Sequence, residues 1–128
     1  MSQRVLVIDD DAEVRRLLEL MLRTAGYQVL EAESGPRGLQ LMREQSPNLV
    51  LCDLVMPEVN GLVVLTAIQA DPLLCQIPVL MISATWQSQF ADQALASGAV
   101  GYITKPFRMA ELLRELKTHM RPVADLGG

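Results

Sequence analysis

The chain has 128 residues, half of them hydrophobic, which suits one well-packed domain and leaves no room for a second. Its 15 acidic and 11 basic side chains give a formal net charge of −4, which disfavours direct nucleic-acid binding by a basic face. No apolar run approaches a membrane span, no signal peptide is recognisable, and Cys52 and Cys75 lack metal-ligand spacing. These features predict a cytoplasmic domain with two reduced thiols and no membrane contact.

Five short apolar runs predict five β-strands. They cover residues 5–8, 28–32, 49–52, 79–82 and 102–104. The first, third and fourth runs consist almost entirely of Val, Ile, Leu and Met, which is typical of parallel strands buried on both faces of a sheet.

Segments with helical periodicity separate these strands. The first helix is predicted to begin after an N-cap at Asp11 and to stop before Gly26. The other predicted helices cover residues 34–45, 60–70, 87–97 and 109–120. Five alternating β and α segments predict a doubly wound α/β fold with a parallel sheet, in a domain covering residues 1–121. Residues 122–128 are predicted to form a disordered tail.

Aspartates follow two of the predicted strands. Asp9, Asp10 and Asp11 come directly after the first strand, and Asp53 comes directly after the third. With a strand order of 2-1-3-4-5, the ligand site of such a sheet lies beyond the carboxyl ends of strands one and three. Converging carboxylates repel one another, and Mg²⁺ would relieve that repulsion. The alternative is that the first three aspartates only cap a helix, the role we assign to Asp11.

Two further polar residues lie at predicted strand ends. Ser83 ends the fourth strand and has a hydroxyl donor, and Lys105 ends the fifth and has an ammonium group suited to phosphate. Each has an ordinary alternative role, as a turn residue or as a solvated surface charge. Together with the aspartates they indicate a site for phosphoryl chemistry.

The sequence resembles the receiver domain of bacterial two-component response regulators over nearly its whole length. The stretches that carry the resemblance are VLVIDDD at 5–11, LVLCDLVMPEVNG at 49–61, VLMISA at 79–84 and GYITKPF at 101–107. The combination is specific, although no single stretch is. The resemblance implies a flavodoxin-like fold and a domain that is switched by phosphorylation.

The resemblance also implies a metal site and a phosphoacceptor. Asp53 would accept the phosphoryl group. Asp10 and Asp53 would bind Mg²⁺ directly, Asp9 mostly through water, and the backbone carbonyl of Val55 would be a third protein ligand.

Four further residues receive roles from the same resemblance. Ser83 would be the switch hydroxyl, and Lys105 would pair with the phosphate. The peptide bond between Lys105 and Pro106 would be cis. Tyr102 matches the aromatic residue whose rotamer follows the phosphorylation state, and its alternative role is that of a half-buried strand tyrosine.

The implied partners are a sensor histidine kinase or a phosphotransfer protein, and a homodimer is also possible within the family. The resemblance does not identify the downstream effector or output domain. The domain would not be an enzyme, beyond assisting its own phosphorylation and dephosphorylation. Phosphorylation would change the surface of helix four, strand five and helix five. Trp86 would report that change by fluorescence.

The sequence departs from some members of the family at two places. Val55 and Thr85 stand where fast-hydrolysing members tend to have polar or acidic side chains, which predicts a long-lived phosphoryl group. Val100 and Gly101 replace an acidic pair found in one large transcription-factor subfamily, which weakens the case for that subfamily's charged dimer interface.

Two other interpretations were weighed. Asp9 and Asp11 form the Asp-x-Asp pair used by phosphatases of the haloacid-dehalogenase type, but Glu13 replaces the expected Thr or Val and no cap insertion is present. A degenerate receiver acting only as an interaction module is disfavoured, because all the implied site residues are present.

Overall fold

A computed structural model describes residues 3–56, 60–84 and 88–121. These residues form five strands and five helices in strict alternation. The strands are β1 (Arg4–Ile8), β2 (Gln28–Ala32), β3 (Leu49–Asp53), β4 (Val79–Ala84) and β5 (Gly101–Lys105). The helices are α1 (Ala12–Thr24), α2 (Gly35–Gln45), α3 (Gly61–Ala70), α4 (Ser88–Ala96) and α5 (Met109–His119). None of these helices is long and apolar enough to cross a membrane.

All strands pair in parallel, in the order β2-β1-β3-β4-β5, which confirms the predicted doubly wound α/β fold. The predictions for Thr85, for Trp86, for a fourth-helix start at Gln87 and for the tail at 122–128 fall outside the described residues.

Two apolar layers cover the two faces of the sheet. Successive strand residues alternate between the layers, as the pleat requires: Val5 and Val7 face one layer, whereas Leu6 and Ile8 face the other. Helices α1 and α5 cover the first face, and α2, α3 and α4 cover the second. Because both faces are buried, the central strands have the continuous apolar sequences from which a parallel sheet was predicted.

Helix α1 begins where the sequence predicted. The Asp11 carboxylate accepts hydrogen bonds from the backbone N–H groups of Glu13, at 2.9 Å, and Val14, at 3.4 Å. After the helix, Gly26 has φ +97°, a conformation that favours glycine, and the chain turns there into β2. This short turn and cap hold α1 directly behind the acidic segment that follows β1.

Strands β3, β4 and β5 extend one or two residues further than the apolar pattern predicted. Asp53 pairs with Ile82, Ser83 with Thr104, and Ala84 with Lys105. The prediction that Ser83 ends β4 is therefore wrong by one residue, because the parallel ladder continues through polar positions. The polar residues consequently lie on paired backbone, which holds them more firmly than a loop would.

The amino end of the sheet is closed by a buried asparagine. Asn48 accepts a hydrogen bond from the backbone N–H of Arg4 at 2.8 Å and donates through Nδ2 to the carbonyl oxygen of Arg121 at 3.2 Å. Its own backbone N–H donates to the carbonyl of Arg4 at 2.8 Å. Asn48 therefore joins β1, β3 and the segment that follows α5.

Candidate functional site

Three charged side chains meet at the carboxyl end of the sheet. The ammonium nitrogen of Lys105, at the end of β5, lies 3.5 Å from Oδ1 of Asp53 and 3.6 Å from Oδ2 of Asp9. Asp9 is 1% exposed and Asp53 is 8% exposed, so both carboxylates are largely removed from water. One lysine thus faces two buried carboxylates, which leaves an excess of negative charge in the pocket.

Asp10 completes an acidic triad. One carboxylate oxygen from each of Asp9, Asp10 and Asp53 can be chosen such that the three atoms lie within 4.8 Å of one another. Asp10 itself is exposed. Asp11 is outside this group, and its carboxylate caps α1 as predicted. The structure therefore does not favour the phosphatase interpretation, in which Asp9 and Asp11 would act as a pair.

Burial and like charge disturb the ionisation of the two inner carboxylates. Burial, reinforced by the charge of Asp9, raises the pKa of Asp53 to about 6, although Lys105 and a hydrogen bond from the backbone of Val55 act in the opposite direction. Burial also raises the pKa of Asp9, against a hydrogen bond from the backbone of Asp11 and the charge of Lys105. An added cation at this place would favour the ionised form of both carboxyl groups.

Two buried oxygen atoms of the site lack hydrogen-bond partners within the described ranges. They are Oδ2 of Asp9, which has only the ion pair to Lys105 at 3.6 Å, and Oγ of Ser83. Buried polar atoms are normally hydrogen-bonded, and exceptions often mark a missing ion, water or ligand. Carboxylate oxygens suit the hard cation Mg²⁺, and a hydroxyl suits an anionic oxygen of phosphate. The residues present therefore fit a magnesium ion and a phosphoryl group.

The remaining predicted site residues lie around this pocket. Val55 is 45% exposed and follows Asp53 closely. The Lys105–Pro106 peptide bond is cis. Tyr102 is half-buried in β5 opposite Met81 and packs against the core layer beneath α2, α3 and α4. The predicted cis peptide bond is confirmed, whereas the roles of Val55 and Tyr102 stay predictions.

Two residues that were not predicted from the sequence support the pocket. A Cβ atom at Gly61 would lie 2.5 Å from the backbone oxygen of Asp53 and 2.9 Å from Cα of Leu54, so only glycine lets α3 approach so closely. Arg15 donates from Nη1 to the backbone oxygen of Asp9 at 2.7 Å. The position of Gly61 directly after a capping Asn60 was a usable signal, whereas the periodicity of α1 contains no hint of the Arg15 contact.

The chain is similar to known proteins over nearly its whole length. Residues 5–117 match the family described as the response regulator receiver domain. The chain is 38% identical over 118 residues to the DNA-binding dual master transcriptional regulator RpaA of Synechocystis sp., a match covering 92% of this chain and 49% of that protein. It is 33% identical over 120 residues to the phosphate regulon transcriptional regulatory protein PhoB of Pseudomonas aeruginosa, covering 94% and 52%.

Solved structures agree with the sequence comparisons. The chemotaxis protein CheY4 of Vibrio cholerae superposes with a TM-score of 0.87 at 26% identity, covering 94% of this chain and all of that one. A response regulator receiver domain protein of Clostridium thermocellum gives a TM-score of 0.85 at 26% identity, covering 91% and 93%. The chain spans about half the length of the curated relatives it matches. It belongs to the receiver domain family of two-component response regulators.

Proposed function

We propose that this receiver domain is a switch that accepts a phosphoryl group on Asp53 in a reaction that requires Mg²⁺. Asp10 and Asp53 would hold the metal directly, Asp9 would hold it mostly through water, and the carbonyl of Val55 would complete the protein ligands. The observation that carries the proposal is the juxtaposition of a lysine-paired Asp53 with unsatisfied oxygen atoms of Asp9 and Ser83. Mg²⁺ would give the Asp9 oxygen a partner, and an oxygen of the phosphoryl group would accept a hydrogen bond from the Ser83 hydroxyl.

The chemistry assigned to the chain is nucleophilic attack by a carboxylate. An oxygen of Asp53 forms a bond to phosphorus while the phosphorus–nitrogen bond of a phosphohistidine donor breaks, and the departing imidazole takes up a proton. Lys105 lies close enough to Asp53 to pair with the transferred group and stabilise its charge. Bound Mg²⁺ would neutralise further charge on the phosphoryl oxygens.

The nucleophile must be ionised to react. Because the pKa of Asp53 is raised to about 6, its carboxylate is mostly ionised at pH 7 and largely protonated at pH 5. Mg²⁺ bound beside Asp53 would lower this pKa, and it would thereby favour the ionised, reactive carboxylate.

The switch would act through β4 and β5. Ser83 is buried with a hydroxyl that is free to bind a phosphoryl oxygen, and Tyr102 lies on the neighbouring strand. Movement at these residues would alter the surface formed by α4, β5 and α5, and with it the affinity for a downstream partner. The donor is proposed to be a sensor histidine kinase or a phosphotransfer protein in the cytoplasm. The domain would not be an enzyme in its own right, beyond assisting its own phosphorylation and dephosphorylation.

Acetyl phosphate provides a direct test. With Mg²⁺ present, the wild-type protein should gain one phosphoryl group, visible by intact mass spectrometry and removed by hydroxylamine, as expected of an acyl phosphate. The variant Asp53→Asn should gain none. The matched control is Asp11→Asn, which keeps a capping residue on α1 and should be phosphorylated like the wild type. Phosphate found on Ser83, or persisting in Asp53→Asn, would contradict the proposal.

A further inference from the structure

The guanidinium of Arg15 touches the acidic segment without belonging to the metal or phosphate ligands. Its Nη1 donates to the backbone oxygen of Asp9 at 2.7 Å, and its Nε lies 3.4 Å from Oε1 of Glu31 on β2. The side chain is only 18% exposed, although it begins on the first turns of a surface helix. A forked, planar donor group can serve both acceptors at once.

The Asp9 carbonyl that Arg15 contacts lies next to the metal-site residue Asp10. It belongs to the peptide group between Asp9 and Asp10, so its direction helps to fix where the Asp10 side chain leaves the backbone. Two other polar groups of Asp9 are also held: its N–H donates to the carbonyl oxygen of Ala32 at 3.1 Å, and its Oδ1 accepts from the N–H of Asp11 at 2.9 Å. Asp10, by contrast, is exposed, so packing does little to orient its carboxylate.

We infer that Arg15 is a positioning residue that fixes the peptide between Asp9 and Asp10, so that the Asp10 carboxylate faces Asp53. Glu31 holds Arg15 in turn, which links the edge strand β2 to the acidic pocket. This inference rests on the proposed function, because it concerns the Mg²⁺ site formed there. Arg15 touches neither the metal nor the phosphoryl group in this scheme, and it acts only through the backbone.

The sign of the effect separates positioning from simple charge. A fixed positive charge beside an acidic pocket repels Mg²⁺, so deleting it for electrostatic reasons alone should strengthen Mg²⁺ binding. Deleting a residue that holds a ligand in place should weaken binding instead. Residues that orient the ligands of a metal are commonly worth about tenfold or more in affinity.

The experiment measures Mg²⁺ affinity by calorimetric titration of the whole chain, with thermal unfolding recorded on the same samples. Arg15→Met keeps an unbranched apolar stem and a similar helix propensity while removing the donors. Arg16→Met removes the same charge from an exposed neighbour and is the matched control. Arg15→Lys retains the charge and one donor nitrogen but loses the forked donor geometry. We expect about tenfold weaker binding in Arg15→Met, partial recovery in Arg15→Lys, and unchanged or slightly tighter binding in Arg16→Met.

The inference is overturned if Arg15→Met binds Mg²⁺ as tightly as the wild type or more tightly. It is also overturned if Arg16→Met loses as much affinity as Arg15→Met, since the effect would then be unrelated to the Asp9 contact. Absence of Mg²⁺ binding in the wild type would instead contradict the proposed function itself, so the two failures are distinguishable.

Discussion

Two buried polar side chains flank the apolar segment of β3, and each is 8% exposed. At the amino end, Asn48 exchanges hydrogen bonds with the backbone of Arg4 and Arg121 on both its oxygen and its nitrogen. At the carboxyl end, Asp53 has a lysine at 3.5 Å, a second carboxylate in the same pocket and a raised pKa. The same degree of burial is therefore compensated at one end and only partly compensated at the other, where Lys105 and the backbone of Val55 do not outweigh burial and the charge of Asp9.

This difference indicates that the two ends of β3 serve different purposes, one for the stability of the fold and the other for ligand binding. A satisfied polar group ties three parts of the chain together and has no remaining capacity to bind anything else. An unsatisfied group costs free energy in the folded state, and that cost can be recovered when a ligand arrives. The amino end of the sheet should therefore matter for folding, and the carboxyl end should matter for binding.

The largest expected effect is at Asn48. Asn48→Ala leaves a partly buried N–H of Arg4 and a partly buried carbonyl of Arg121 without their partners, which should lower the free energy of unfolding by about 2 to 4 kcal/mol. Urea unfolding measures this loss, while phosphorylation of the folded fraction by acetyl phosphate should be unchanged. Arg121→Ala is the control, because the contact uses only its backbone, and it should cost little. A loss of phosphorylation without loss of stability in Asn48→Ala would break the proposed division between the two ends.

The second prediction concerns pH at the opposite end. The folded state holds a proton on Asp53 up to about pH 6, whereas the ordinary pKa is 3.8. Between these values the folded protein binds more protons than the unfolded chain, so this residue makes stability fall as the pH rises. Its stabilising effect is complete below about pH 4 and is lost as the pH passes about 6.

Comparison with Asp53→Asn isolates that contribution, since asparagine does not titrate. The stability of the wild type relative to this variant should decrease by roughly 2 to 3 kcal/mol between pH 4 and pH 7.5 in the absence of Mg²⁺. Denaturant unfolding of both proteins at each pH gives the difference. If the difference in stability between the two proteins does not change with pH, the pKa of Asp53 is not raised by its surroundings. The contrast with Asn48 would then have no basis.

Much of this architecture could be predicted from the sequence, because the buried strands and the aspartates at their ends both appear as short sequence patterns. Buried strands in a parallel sheet are nearly continuous apolar runs, and the ends of such strands meet at one edge, so Asp9 and Asp53 could be brought together without coordinates. The strand ends could not be fixed, because the ladder continues through polar residues such as Ser83. The contacts of Arg15 and Asn48 could not be predicted either, because both side chains bond backbone groups, and a backbone N–H or carbonyl has no sequence signature.

The smallest expected effect concerns the lifetime of the phosphoryl group on Asp53. Hydrolysis requires a water molecule aligned opposite the departing carboxylate, and a side chain that hydrogen-bonds this water lowers the cost of ordering it. Val55 lies two residues after Asp53, is 45% exposed, and offers neither donor nor acceptor. Water can therefore reach the site without being oriented, so the phosphorylated form should be long-lived.

Val55→Asn should shorten this lifetime, because its amide can hold the attacking water. We expect about three- to tenfold faster decay, or roughly 0.7 to 1.4 kcal/mol of activation free energy. The measurement follows loss of the phosphoryl group by mass spectrometry after the donor is removed and Mg²⁺ is kept constant. Val55→Ala is the control, because its smaller side chain opens the site to water but provides no hydrogen bond. If both variants decay faster to the same extent, access limits hydrolysis; if only Val55→Asn does, orientation of the water limits it. If neither differs from the wild type, the timing of this switch is determined by residues other than Val55.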